Sequence, residues 1–240
     1  MHVSSGMIAN LIVWYLVFVF STTFHEFAHA FVAYKGGDLT AYEGGHVSLD
    51  PIPHIRRSPF GMVLVPLISF VQMGWMIGWA SVPYDPEWGR RHPRRQALMS
   101  LAGPAANLLL ALVALVLMRA LLAAGVFVAP NQVSFTHLVV LAKDPNSHTP
   151  LAAGAMALSI MMNLNVLLGL FNLIPIPPLD GAGVVEGAAP RRTAAFYQQM
   201  RSSGFMQIAG LILAWQLFPY LARPAFSLVL MLVHPGVHYQ

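Results

Sequence analysis

The run MIANLIVWYLVFVF (residues 7–20) continues without a break into STTFHEFAHAFVAY (residues 21–34), and these stretches decide the fold. A helix needs roughly 20 apolar residues to cross a bilayer. Met7 to Phe24 supply such a run, and the same helix can continue through His25 and His29 to Tyr34. Two histidines and a glutamate therefore fall near the end of a membrane helix, where ionisable groups are costly and mark function by default. His25 and His29 are four residues apart, so they stack on one face about one turn apart. Two imidazoles so placed can share one zinc ion, with Glu26 beside it where a water would sit. The plainer alternative is a pair of interfacial histidines, with Glu26 reaching the water boundary. The complete H-E-x-x-H pattern inside an apolar helix favours the metal.

The rest of the chain agrees with a membrane setting. Of its 240 residues 57% are hydrophobic and only 9% charged. A soluble domain carries about a quarter charged residues. The net charge of +4 comes from basic residues in short loops beside apolar runs. That is how cytoplasmic anchoring looks, so no nucleic-acid partner is expected. The chain has no cysteine, which excludes disulfides and thiolate chemistry and leaves His, Asp or Glu to hold any metal. The first helix has no basic region before it and no small-residue cleavage site after it, so it reads as a permanent span.

The sequence predicts an all-α, polytopic membrane helix bundle. Residues 35–58 form a polar loop, in which GHVSL (residues 45–49) alternates enough for a short strand that could receive an extended substrate. Gln96 to Met118 and Leu151 to Leu173 are spanning helices, separated by a mixed loop at 125–150. Residues 186–202 are a connector. Residues 204–218 and 225–233 are apolar and split by Pro219 and Pro224, giving one kinked span or a short hairpin. Residues 61–79 are apolar but interrupted by Pro66, Gln72, Gly74 and Gly78. If they crossed the bilayer, the loop with Arg90, Arg91, Arg94 and Arg95 would lie opposite Lys35, Arg56 and Arg57, against the positive-inside tendency. They are expected to enter and return on one side, as a re-entrant or short β element. The N-terminus is then external with residues 125–150.

Two histidines do not complete a catalytic zinc site, which has three protein ligands and an open position. Asp180, in FNLIPIPPLDG (residues 171–181), is the only acid between Asp144 and Glu186. As a ligand it would be paired rather than stranded in an apolar stretch. As a surface residue it would sit in a turn before Gly181, or cap the next helix; spacing alone leaves both open.

HEFAH at 25–29, AGPAAN at 102–107 and FNLIPIPPLDG at 171–181, in that order on membrane helices, resemble the site-2 protease family of intramembrane zinc metalloproteases. GWASVPYDP at 78–86 is similar to its minimal branch without large accessory domains. The resemblance covers about residues 8–190. It implies a three-helix zinc-binding catalytic core, one Zn2+ per chain held by His25, His29 and Asp180, and Glu26 as general base. It also implies that Asn172 orients substrate or stabilises the oxyanion; the alternative is an amide capping the broken helix end. AGPAAN reads as structural, its small residues allowing close helix approach and Asn107 bonding to a neighbour. His54 is first a loop histidine, with a substrate-contacting role as alternative, and relatives often have an acid where Arg56 follows it here. His46, His234 and His238 receive no role.

The resulting expectation is a single membrane-embedded metalloprotease domain over residues 1–240, with a core at about 8–190 and a C-terminal membrane segment at about 203–234. It would hydrolyse peptide bonds within or near transmembrane segments of membrane proteins, in a bacterial or archaeal inner membrane, with a regulatory membrane partner left open. A metal-dependent transporter and a non-proteolytic scaffold of the same fold are the rivals. Transport predicts ionisable groups spread along a path, and a scaffold can lose the base or a ligand.

Overall fold

The computed structural model describes residues 5–145, 147 and 149–237; His238 lies outside them. Four helices are long and apolar enough to cross a membrane: α1 (Ser5–Lys35), α6 (Pro93–Ala123), α7 (Pro150–Asn172) and α10 (Gly204–Val233). Between them run α2 (Thr40–Glu43), α3 (Pro51–Arg57), α4 (Val65–Met73), α5 (Pro86–Arg91), α8 (Asp180–Ala188) and α9 (Arg191–Ser202). The protein is thus an all-α, multi-pass membrane bundle, with one two-stranded antiparallel sheet, β1 (Phe127–Val128) and β2 (Val140–Leu141). That sheet falls in the 125–150 loop. The strand expected at GHVSL does not form: residues 45–49 are turn and bends between α2 and α3. Gly44 precedes that segment and Gly45 opens it, and Asp50 caps α3 through Ile52 N–H, so the chain turns into a helix before it can extend.

α10 is one continuous helix despite Pro219 and Pro224, which excludes the short-hairpin reading. Little of it is buried, and its apolar side chains face outward as a lipid-exposed helix requires. The central packing is α6 against α1, α7 and α8. Small residues on α6 (Gly103, Ala106, Ala111, Ala114) are buried at these contacts, allowing backbones to approach closely.

The stretch 60–79 doubles back. A π-helical turn, Phe60–Leu64, leads into α4. Pro66 has no N–H, so the helical ladder cannot continue in register, and Val65 N–H bonds to Phe60 O across the wider turn. The two pieces total about 21 Å at the helical rise, short of a bilayer's hydrocarbon thickness. Gly74, with φ 77°, ends α4 and reverses the chain, a conformation that side-chain-bearing residues rarely adopt. The return leg, residues 75–85, has no regular secondary structure. Its Trp79 N–H donates to Gly61 O at 3.1 Å, and Gly61 and Gly78 have no Cβ to block this approach. Asp85 N–H then reaches Asp38 Oδ2 at 2.8 Å, just past the end of α1. The chain therefore leaves α1 at its C-terminal end and, by Asp85, has come back to that same end. With this return, Lys35, Arg56, Arg57, the arginines at 90–95 and Arg191 and Arg192 gather at one end of the bundle, the end that the positive-inside rule assigns to the cytoplasm.

Single cysteines test this arrangement in a chain that has none. Ser58 is buried, so the exposed Arg56, Ser81 and Ala142 are the better positions. In intact cells a membrane-impermeant thiol reagent should label Ala142→Cys, and should reach Arg56→Cys and Ser81→Cys only after permeabilisation. Labelling of Arg56→Cys and Ser81→Cys from opposite faces would make residues 60–79 a true span.

Candidate metal centre

α1 carries His25 and His29 one turn apart, and both are buried. Asp180 arrives from a different part of the chain. α7 ends at Asn172, because the prolines at 175, 177 and 178 cannot extend it, and the PIPP turn delivers Asp180 as the first residue of α8. The cap position belongs to Leu179, and Asp180 makes no cap hydrogen bond. The capping alternative therefore falls away, and the carboxylate turns inward.

Three donor atoms converge. His25 Nε2 and His29 Nε2 are 3.0 Å apart, and Asp180 Oδ2 lies 3.2 and 3.3 Å from them. The protonation pattern follows from the far side of each ring. His29 Nδ1 lies 2.7 Å from the Met99 carbonyl, which can only accept, so Nδ1 carries the proton. His25 Nδ1 lies 2.5 Å from Asn107 Oδ1. The orientation of that amide is fixed by a relay. Asn165 Nδ2 donates to the Met161 carbonyl and to Ser21 Oγ, and Asn165 Oδ1 accepts from Asn107 Nδ2 at 2.7 Å. Asn107 Oδ1 must then accept from His25. In the neutral imidazoles, the form that binds a metal, both Nε2 atoms then present lone pairs. They face a buried carboxylate oxygen that has no hydrogen bond of its own.

Three lone pairs within 3.3 Å repel one another unless a cation lies between them. Ligands on a tetrahedron about 2.0–2.1 Å from zinc would be about 3.3–3.4 Å apart, so the spacing fits that ion. The remaining wall is Gly103 of α6. A Cβ there would fall 2.5 Å from His25 Nε2 and run into His29 Nε2, so only glycine leaves room for an ion and a further ligand. These three form the one such cluster among the described residues and fit one Zn2+ per chain.

The three ligands come from two helices, α1 and α8, rather than from three. The third helix, α6, orients them through Met99 O, Asn107 and Gly103. The role of AGPAAN is thus larger than helix packing: it shapes the ion's space and fixes one ligand's tautomer. The signal was present in the sequence as one glycine and one amide in an apolar run, but the contact across the bundle was not.

Glu26 is buried beside the ligands, and no hydrogen bond or ion pair engages it among the described residues. Asn172 ends α7, and its Nδ2 donates to Leu168 O at 3.0 Å. His54 belongs to α3 rather than a loop; it is fully buried against His46 with Nε2 3.1 Å from Ser48 O, outside the metal cluster. Burial, with His54 and Arg57 nearby, holds His46 below its ordinary pKa. His234 Nε2 bonds the Leu138 carbonyl at 2.7 Å, tying the end of α10 to the sheet loop.

A membrane bundle with an inward-facing His-His-Asp triad on an H-E-x-x-H helix defines a membrane-embedded zinc peptidase. The chain belongs to peptidase family M50, whose family model matches residues 13–215. YwhC of Bacillus subtilis is 35% identical over 196 residues, covering 80% of this chain and 75% of that protein. Rip2 of Mycolicibacterium smegmatis is 29% identical over 209 residues (87% and 68%), and Rip2 of Mycobacterium tuberculosis 32% over 183 (76% and 58%). No solved structure matches. The protein is therefore an intramembrane zinc metalloprotease of the site-2 protease type, multi-pass and of bacterial membrane context.

Substitution of the relay tests its role. Asn107→Ala should leave the bundle inserted but free the His25 ring, lowering zinc affinity and activity about 10 to 100-fold. Gly103→Ala should remove zinc more completely, because its methyl occupies the ion's space. Zinc content after dialysis against a graded chelator measures both.

Proposed function

We propose that His25, His29 and Asp180 hold the zinc ion and that Glu26 and Asn172 act with it to hydrolyse peptide bonds within or near transmembrane segments of membrane proteins. The observation that carries this reading is the convergence of three buried lone pairs, two imidazole and one carboxylate. Zinc bound there supplies Lewis-acid activation of water and of the scissile carbonyl. Glu26, adjacent to His25 in sequence, accepts the proton of the attacking water and returns it to the leaving amine. It is buried beside the ligands, and no ion-pair partner occupies its carboxylate among the described residues. Asn172 has two amide hydrogens and gives one to Leu168 O, so the second remains for a developing oxyanion. Two neutral imidazoles and one carboxylate would offset half of a divalent ion's charge and leave it able to act as a Lewis acid in a site enclosed by apolar helices.

The catalytic core is α1, α6 and α7 with the α8 turn, about residues 8–190. α10, in the segment at about 203–234, belongs to the same single domain and covers the PIPP turn: Gly210 lies against Pro177 O and Ile176. A helical substrate hides its carbonyls in its own hydrogen bonds, so the bond to be cut must lie in a locally unwound segment.

Glu26→Gln should keep stoichiometric zinc and the folded bundle while cleavage of a transmembrane substrate falls at least about 100-fold, the lower range for a lost general base. Asp180→Ala should lose both zinc and activity. Full zinc content in Asp180→Ala would remove it from the ligand set. Wild-type protein that holds zinc but cuts no transmembrane substrate would favour a transporter or scaffold.

A further inference from the structure

We propose that α9 is a surface helix that binds the anionic headgroups of the bilayer through Arg191 and Arg192 and braces the metal-bearing turn from that seat. Connectivity places α9 at a membrane boundary. It ends at Ser202, and the spanning helix α10 begins at Gly204, with one residue between them. Its twelve residues are too few to cross, and none is buried. Phe196 is 57% exposed on the flank away from Arg201, and Arg192 lies one turn before it on that same flank. An aromatic ring held out beside arginines, at the foot of a membrane span, is the arrangement of a helix lying in the headgroup plane.

Charge selects the kind of lipid. Among the neighbouring loop arginines, Arg90 pairs with Glu87, Arg91 with Asp85, and Arg95 donates to Gly36 O. No acid pairs with Arg191 or Arg192 among the described residues, and the first turn of α9 contains none. Two such cations at a bilayer surface are attracted by anionic phospholipid and indifferent to zwitterionic lipid.

The inner side of the helix meets the catalytic segment. Tyr197 Oη donates to the Pro175 carbonyl at 3.0 Å, within the PIPP turn that presents Asp180. Arg201 Nε lies 3.3 Å from Glu186 Oε2, a buried carboxylate on α8, the helix that Asp180 opens. Both ends of the Asp180-bearing element are thereby attached to α9. A helix settled on an anionic surface holds the turn in place. This bracing rests on the zinc reading above; the lipid binding does not.

The experiment places a bimane label on Thr193→Cys and reconstitutes the full chain in phosphatidylcholine vesicles, with or without phosphatidylglycerol. Phosphatidylglycerol should shift the emission to the blue and increase quenching by lipids carrying a shallow nitroxide. Raised salt should reverse the change without any further mutation. The Arg191→Gln, Arg192→Gln pair should abolish it, and Arg94→Gln should leave it intact. An emission indifferent to phosphatidylglycerol, or a double variant that responds like the parent, would overturn the proposal. Zinc release to a chelator tests the bracing: it should slow severalfold in phosphatidylglycerol, and Tyr197→Phe should lose that effect while the label still responds. Equal release in the two lipids would overturn the bracing and leave the proteolytic reading untouched.

Discussion

The structure depends on the mutual repulsion of three buried lone pairs. His25, His29 and Asp180 present unprotonated donors within 3.3 Å of one another in an apolar bundle, an arrangement that only a cation stabilises. Much of the buried polarity elsewhere follows from that need. Asn107, Asn165 and Ser21 are fully buried amide and hydroxyl groups that would be liabilities in a membrane helix. Linked into one relay ending at a backbone carbonyl, they leave each partner satisfied and fix which ring nitrogen of His25 faces the ion. Asn107, Asn165 and Ser21 thus form one connected group with His25 at the ion, while Ser159 and Asn163 on α7 anchor the loop at 135–138.

The fold brings these donors together by interrupting helices where interruption is useful. PIPP stops α7 and turns the chain so that Asp180 faces α1. Pro66 and Gly74 stop the segment before α6 from crossing, which sets the direction of every later helix. Non-helical backbone at membrane depth is tolerated when it is buried in protein. Here Gly61 and Trp79 pair with each other and Ile77 N–H is taken by Ser69 Oγ, so part of the return leg is satisfied within its own hairpin.

The sequence made three spans and the His25–His29 pair legible for separate physical reasons. It left residues 204–233 open between a kinked span and a hairpin, and Asp180 took its ligand role only through the family resemblance. Long uncharged runs reveal spans because lipid admits little else, and His25 and His29 stand out because ionisable groups in such runs are costly. The hairpin at 60–79 was legible through its prolines, glycines and the sign of the flanking loops. What stayed hidden depended on contacts between distant segments. Gly103 looks like any small packing residue until His25 and His29 are placed against it. His54 reads as a loop residue because α3 is only seven residues long and has no apolar period. The strand expected at GHVSL failed because alternation over five residues is weak evidence against the turn chemistry of Gly44, Gly45 and Asp50.

The central claim is the coordination itself, and zinc K-edge X-ray absorption of the purified protein measures it most directly. The expected result is one zinc per chain, four-coordinate, with only nitrogen and oxygen neighbours at about 2.0–2.1 Å and multiple scattering from two imidazoles. A six-coordinate all-oxygen shell, or scattering from a single imidazole, would contradict it.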